Sequence, residues 1–376
     1  MALGEFQMSF QRALLALVLT IGAAAQTAPD QLKEPPKELT WRETLDKGRD
    51  TLADKLFGLK LSAFGDAQAA PDDQGRKKLD WGSFELDLAG EFHDTIDAAA
   101  ALVINQDGTK LPVGFLDFHP FGGTIAPRGR LWVEKGFHIQ AGRFDVPFGN
   151  DWQFFASKDS VSISRPLTTD RIMDGGYNDL GVRVLGNNGT VNFNTFILRG
   201  FGEGRLVGGR LGFTPFGNPF SLKDAREPKS AEIGFSYLYD TGSDRKKREV
   251  AWAIDAEGRL GSWYLRAEYL NRQTEPDALQ EGFTRHGWHL TQEYAWPDLA
   301  LPTTVFLRFE RMGQQPADPP PGDDQDQRLA GGASLVVAGI VQLKAEWQHI
   351  LKATATTRAM PNYSPNVWLA QLVVVF

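Results

Sequence analysis

Residues 366–376 read NVWLAQLVVVF. Counting back from the end, Phe376, Val374, Leu372, Ala370 and Trp368 form an apolar row at every second position. The other row is Val375, Val373, Gln371, Leu369 and Val367, so the alternation is imperfect. A period of two is the mark of a β-strand, and about 9–11 tilted residues cross an outer-membrane bilayer. Taken alone, the stretch suits a buried strand of a water-soluble sheet better than a membrane strand. Recurrence along the chain has to decide.

The pattern does recur. Leu59, Leu61 and Ala63 alternate with Lys60, Ser62 and Phe64. Phe84, Leu86, Leu88 and Phe92 stand against Glu85, Asp87 and Glu91. Ile233, Phe235, Tyr237 and Tyr239 oppose Glu232, Gly234 and Ser236, and Trp263, Leu265, Ala267 and Tyr269 oppose Ser262, Arg266 and Glu268. Val305, Leu307 and Phe309 oppose Thr304, Arg308 and Glu310. Val341, Leu343, Ala345 and Trp347 oppose Gln342, Lys344, Glu346 and Gln348.

In a soluble sandwich the apolar face is the core. In a membrane barrel the apolar face meets lipid and the charged face lines water. Three features select the barrel. The chain begins with an export signal, described below. Strands continue from 55 to 376 without a linker, too long for one sandwich. Aromatics gather at strand ends, at Trp81, Phe92, Tyr239, Trp252, Trp263, Tyr294, Trp296, Trp347 and Trp368, where interfacial girdles belong. The expected fold is an all-β transmembrane antiparallel β-barrel of about sixteen strands, with a long inward-folded third loop.

Composition agrees. The absence of cysteine excludes disulfides and thiolate metal sites. Thirty-nine glycines and an aromatic share of 11% fit a turn-rich β protein. Beyond the first 25 residues no apolar run is long enough for a membrane helix, which leaves barrels open because their strands are only half apolar. A net charge of −7 argues against a nucleic-acid binder.

Near the start, Arg12 precedes the apolar run LLALVLTIGAAA. This reads as a signal peptide over 1–25, cut before Gln26. Residues 26–54 read as a periplasmic leader. Pro29, Pro35 and Pro36 keep its first part extended, and a capping box of Thr40 and Glu43 opens a short helix over about 41–54. The barrel then occupies 55–376.

Barrels of this class have short periplasmic turns and long outer loops. With Phe376 at the periplasmic end, 352–365, 313–327, 272–282, 241–249, 200–204, 146–177, 106–127 and 68–79 fall outside. Tight turns fall at 339–340, 258–261, Asn187-Asn188-Gly189, 134–136 and 93–94. Residues 216–229 are long for a periplasmic turn and 200–204 short for an outer loop. Val113 to Phe118, flanked by Pro112 and Pro120, is assigned to the second outer loop.

The third outer loop, 146–177, is the longest. Trp152, Phe154, Phe155, Val161, Ile163, Leu167 and Ile172 need cover. A barrel of sixteen strands has a lumen wide enough to take it, so the loop is expected to bend inward and narrow the opening. Lys158, Arg165 and Arg171, with Asp170 and Asp174, are the candidate residues at the constriction, where charge sets ion preference. Arg183, Arg266, Arg308 and Lys344 are candidates for the lumen wall.

The decapeptide QAGRFDVPFG, residues 140–149, resembles the strand-to-loop motif of the phosphate-selective porin O and P family. A looser likeness runs from about Lys55 to Phe376. The resemblance implies a sixteen-stranded channel of the Gram-negative outer membrane, commonly a trimer, passing anions such as phosphate or small polar solutes. The partners it implies are outer-membrane lipid, lipopolysaccharide and the barrel-assembly machinery, the last through Phe376. Family selectivity rests on a basic ladder. Here the lumen rows mix Glu85, Asp87, Glu91, Asp255, Glu257, Glu268, Glu293 and Glu310 with Lys60, Arg183, Arg266, Arg308 and Lys344.

Catalytic motifs are missing from the sequence: there is no GxSxG, P-loop or HExxH. His286 and His289 lie three apart, on opposite faces of a strand, which does not make a metal site. The glycines between 202 and 212 sit in a continuing strand, not a cofactor loop. No enzyme activity, cofactor or metal is expected. The leading reading is passive diffusion of ions and small polar solutes. The rivals are a barrel with an occluded lumen acting as an enzyme or structural anchor, and a soluble secreted β protein.

Overall fold

The computed structural model describes residues 60–71, 77–121, 135–151, 156–199, 204–217, 229–242, 248–275, 282–315, 325–358 and 364–375. The expected signal peptide, the leader helix, Trp152, Phe154, Phe155 and Phe376 lie outside the described residues.

The described residues form sixteen strands: β1 Lys60–Pro71, β2 Lys77–His93, β3 Ile96–Asn105, β4 Gly108–Phe121, β5 Gly136–Asp145, β6 Asn178–Asn187, β7 Val191–Arg199 and β8 Arg205–Phe216, followed by β9 Lys229–Asp240, β10 Glu249–Leu260, β11 Trp263–Thr274, β12 Phe283–Trp296, β13 Thr303–Gln315, β14 Gln325–Val337, β15 Val341–Lys352 and β16 Asn366–Val375. Each pairs antiparallel with its sequence neighbours, and β1 pairs with β16 to close a barrel. Closure leaves no edge, so the ladder satisfies the backbone N–H and C=O groups that lipid cannot.

The opening stretch decides as expected. Trp368 is 67% exposed on the outer surface, whereas Gln371 and Val373 point inward. The same sense holds on β11, where Trp263, Leu265 and Tyr269 face out and Tyr264, Arg266 and Glu268 face in. Leu307 is exposed on β13 while Arg308 is fully buried. A sandwich would show the reverse. Trp81 and Phe92, both outward on β2, lie eleven positions apart. At ~3.3 Å per residue and a tilt near 40° this gives about 28 Å of height, matching an apolar band of about 25 Å. Cross-strand aromatics reinforce one rim, with Trp263 and Tyr294 rings 4.6 Å apart and Tyr294 equally close to Trp296.

The end at which β16 finishes carries tight turns at 94–95, 188–190, 261–262 and 338–340, and the longer links 122–135, 217–228 and 297–302. At 188–190 the Asn187 side chain accepts from Gly189 N at 2.7 Å, and Gly189 adopts φ +96°. We call this the turn end and the other the loop end.

One assignment is corrected. Residues 106–121 of the expected outer loop 106–127 do not form one, and 122–127 lie outside the described residues. Gln106-Asp107 make a tight turn at the loop end, and Val113 to Phe118 lie in the middle of β4. Pro112 and Pro120 do not terminate the strand. They sit at bulges, where the register slips between Ala101/Val103 and between Phe118/Phe121. A bulge takes the missing proline N–H out of the ladder.

The lumen is not water throughout. Ala99, Ala101, Val113, Phe115, Phe144, Phe196, Leu198, Leu206, Leu238, Ala251, Ala253 and Leu270 face inward from β3 to β11. Val146, Phe148, Ile172 and Met173 of the third loop pack on them. This dry cluster fills one side of the barrel and pushes the loop toward the other.

Candidate functional site

The third loop enters the barrel at the end of β5. Phe148 is buried in the apolar cluster, and Gly149 turns at φ +68° directly against Glu268. A Cβ at 149 would collide with that carboxylate. Gly149 N donates to Ser236 Oγ at 3.0 Å, and Asn150 N to Glu268 Oε2 at 3.0 Å. The Pro-Phe-Gly sequence thus has a local reason: an apolar anchor, then a residue without a side chain where the chain crosses a wall carboxylate.

From there the loop crosses the lumen and is fastened to successive strands from β11 to β15. Glu310 on β13 accepts Leu167 N at 2.6 Å. Glu346 on β15 accepts Ile163 N at 2.7 Å, Ser164 N at 3.0 Å and the Ser164 hydroxyl. Wall cations hold the loop carbonyls in return. Arg308 donates to Ser164 O at 3.1 Å, Arg328 to Arg165 O at 2.8 Å and Arg272 to Ile172 O at 2.7 Å. Lys344 donates to Ser157 O, and Gln342 to Lys158 O at 3.1 Å. A π-helical turn, Thr168–Ile172, presents Thr168 to His289 at 3.1 Å.

These contacts reassign the predicted wall residues. Arg308 and Lys344 lie under the loop as its anchors. Arg266 is buried between Glu293 at 3.2 Å and Asp151 at 3.6 Å. Arg183 is buried against the Phe144 ring at 4.5 Å and donates to Gln140 at 2.6 Å. None of the four faces open lumen. Buried charges need partners, and here the partners are the loop and the neighbouring carboxylates.

The candidate loop charges separate. Arg171 turns to Asp326 on β14 at 2.8 Å and to Thr357 at 3.0 Å. Asp174 is held by Arg272 at 2.5 Å and Arg285 at 3.4 Å. Asp170 is exposed in the π-helical turn. Lys158 pairs with Asp87 on β2 at 3.2 Å and lies 4.9 Å above the Phe64 ring. Among these five, Arg165 lines a cavity formed by described residues.

This cavity, of about 330 Å³, lies between the loop and the wall made by β1, β2, β3 and β16. The loop contributes Asp151, Ser157, Ser160, Ser162, Ser164 and Arg165 to it, and the wall contributes Asp66, Gln68, Ser83, Glu85, Asn105 and Gln371. Asp66 accepts from Ser83 N at 2.6 Å and from Gln371 at 2.7 Å. The polar part of the lining is hydroxyls, amides, three carboxylates and one guanidinium, beside the apolar Phe64, Val103, Ala156 and Ile163. Of this lining, sequence reasoning named only Arg165 as a candidate. The serines at 160, 162 and 164 were visible as an alternating polar row, but nothing in the chain pairs them with β1 and β16.

No protein-family model matches this sequence, and no curated protein matches it. Solved structures do match the fold. The anion-selective porin from Comamonas acidovorans superposes with a TM-score of 0.59 at 13% identity, covering 85% of this chain and 99% of that one. OmpT of Vibrio cholerae, an outer membrane protein in its trimer form, gives 0.58 at 9% identity over 85% and 99%. OprB of Pseudomonas putida gives 0.55 at 11% identity over 88% and 96%. At such identities the likeness establishes the closed sixteen-stranded barrel.

Proposed function

We propose that this chain is a porin of the Gram-negative outer membrane through which ions and small polar solutes diffuse passively. The observation that carries the reading is the third loop, fastened across the lumen by Glu268, Glu310 and Glu346 while a polar cavity remains beside it. A loop meant to seal the barrel would pack on both sides. This one packs dry against β3 to β11 and stays wet toward β1, β2, β3 and β16. No chemistry is assigned to it, and the protein is read as a channel rather than an enzyme.

The lining favours cations and neutral solutes over phosphate. Asp66, Glu85 and Asp151 line the cavity together with Arg165, Asp151 being also 3.6 Å from the buried Arg266, and fixed charge at a narrow point sets ion preference. The wall arginines that a basic ladder would need are engaged with the loop, as Arg272, Arg308 and Arg328 are, or with neighbouring wall residues, as Arg183, Arg210 and Arg266 are. A homotrimer, the form in which Vibrio cholerae OmpT was solved, is the proposed assembly, to be tested by cross-linking in detergent. Export by the 1–25 signal and delivery through Phe376 to the assembly machinery belong to the same reading.

The test is reconstitution into a planar bilayer under a salt gradient. Discrete ohmic steps with a reversal potential on the cation side support the proposal. Folded, heat-modifiable protein that gives no steps would favour the occluded barrel.

A further inference from the structure

Inside the turn end, β3, β4 and β5 bring together Asp97, Asp117, His119 and His138. His119 faces inward by the ordinary alternation of β4, in one row with Val113, Phe115 and Asp117, and the bulge between Phe118 and Phe121 begins beside it. Asp117 and His119, two apart, then share the lumen face. Asp97 is 6% exposed, Asp117 1%, His119 5% and His138 0%.

The contacts are incomplete as hydrogen bonding. His119 Nε2 lies 3.2 Å from Asp97 Oδ2, yet neither ring nitrogen of His119 and neither oxygen of Asp97 has a hydrogen-bond partner. Asp117 Oδ1 is also without one, while Asp117 Oδ2 is engaged by His138 Nδ1 at 2.8 Å. Buried carboxylates in that condition are costly unless a cation sits among them.

We propose that Asp97, Asp117 and His119 bind one divalent transition-metal ion of the zinc class. One ligand atom from each residue lies within 4.8 Å of the others. Zinc bonds of 2.0–2.2 Å set tetrahedral edges of about 3.3 Å, and the Asp97–His119 separation already matches. An imidazole with two carboxylates suits zinc, cobalt or manganese better than calcium or magnesium, which prefer oxygen alone. His138 is the positioning residue: its ring orients the Asp117 carboxylate, as outer partners of metal ligands do. The ion would tie β3 to β4, with β5 joined through His138, where the β4 ladder is broken by Pro120. This site is independent of the diffusion reading, since it lies outside the cavity lining.

The experiment is equilibrium dialysis of refolded, chelator-treated protein in detergent against Co2+, with the visible absorption of bound cobalt as second readout. The expected result is one cobalt per chain with a visible band, displaced by Zn2+ and unaffected by excess Mg2+. His119→Ala should abolish it, and His138→Gln should weaken affinity by about 10–100-fold. Absence of cobalt uptake by the unmutated protein would overturn the proposal without reference to any variant's folding. Equal uptake by a folded His119→Ala protein would overturn it as well.

Discussion

The amide of Ile163 donates to the carboxylate of Glu346 at 2.7 Å, joining positions 183 apart in the chain. The same carboxylate takes Ser164 N and lies 3.8 Å from Arg308. One side chain on β15 therefore fixes the part of the third loop that borders the cavity.

Glu346→Ala should free that segment. Removing one member of a buried charged set costs about 3–5 kcal/mol, here drawn from the docking of the loop and not from the barrel ladder. Single-channel recording should show higher conductance with more open-state noise, from a barrel that still folds. Conductance and noise equal to the unmutated channel would mean the loop is held elsewhere.

Arg165 and Arg171 should behave differently. Arg165 lines the cavity, whereas Arg171 is spent on Asp326. Arg165→Glu adds negative charge to the path and should move the reversal potential in a salt gradient further toward cations. Arg171→Glu should leave it close to the original value. Equal shifts from both would contradict the placement of the cavity.

Ile254 sits at the middle of β10, half exposed on the outer face and paired with Phe235. Ile254→Arg should cost about 2–4 kcal/mol of folding stability in lipid, the penalty for a cation near the bilayer midplane. Reversible denaturant titration in liposomes measures it. A change below about 0.5 kcal/mol would place this row away from the acyl chains.

Sequence alone carried the barrel because a two-residue period repeats wherever one face meets lipid. Trp368, Leu307 and Trp263 are outward as their positions demanded. The fourth strand was misread because proline breaks a ladder in general, and only the register shows that Pro112 and Pro120 fall at bulges. Inward positions were harder. Glu310 and Arg308 read as water-lining charges, since a strand pattern cannot tell lumen water from a folded-in loop. The loop's apolar residues signalled that it needs cover. Which wall residues would meet it depends on contacts more than a hundred positions apart, as between Leu167 and Glu310. The Asp97, Asp117, His119 and His138 group was equally out of reach: Asp117 and His119 share a face by spacing alone, but only the pairing of β3, β4 and β5 brings Asp97 and His138 to them.

The central claim is that solutes pass between the third loop and the wall of β1, β2, β3 and β16. Because the chain has no cysteine, Ser160→Cys provides a single thiol in that gap. A bulky water-soluble thiol reagent, added during single-channel recording, should lower the conductance in one step per channel, while the same reagent on outward-facing Gln273→Cys should not. Complete labelling of Ser160→Cys, confirmed by mass, with undiminished current would contradict the account.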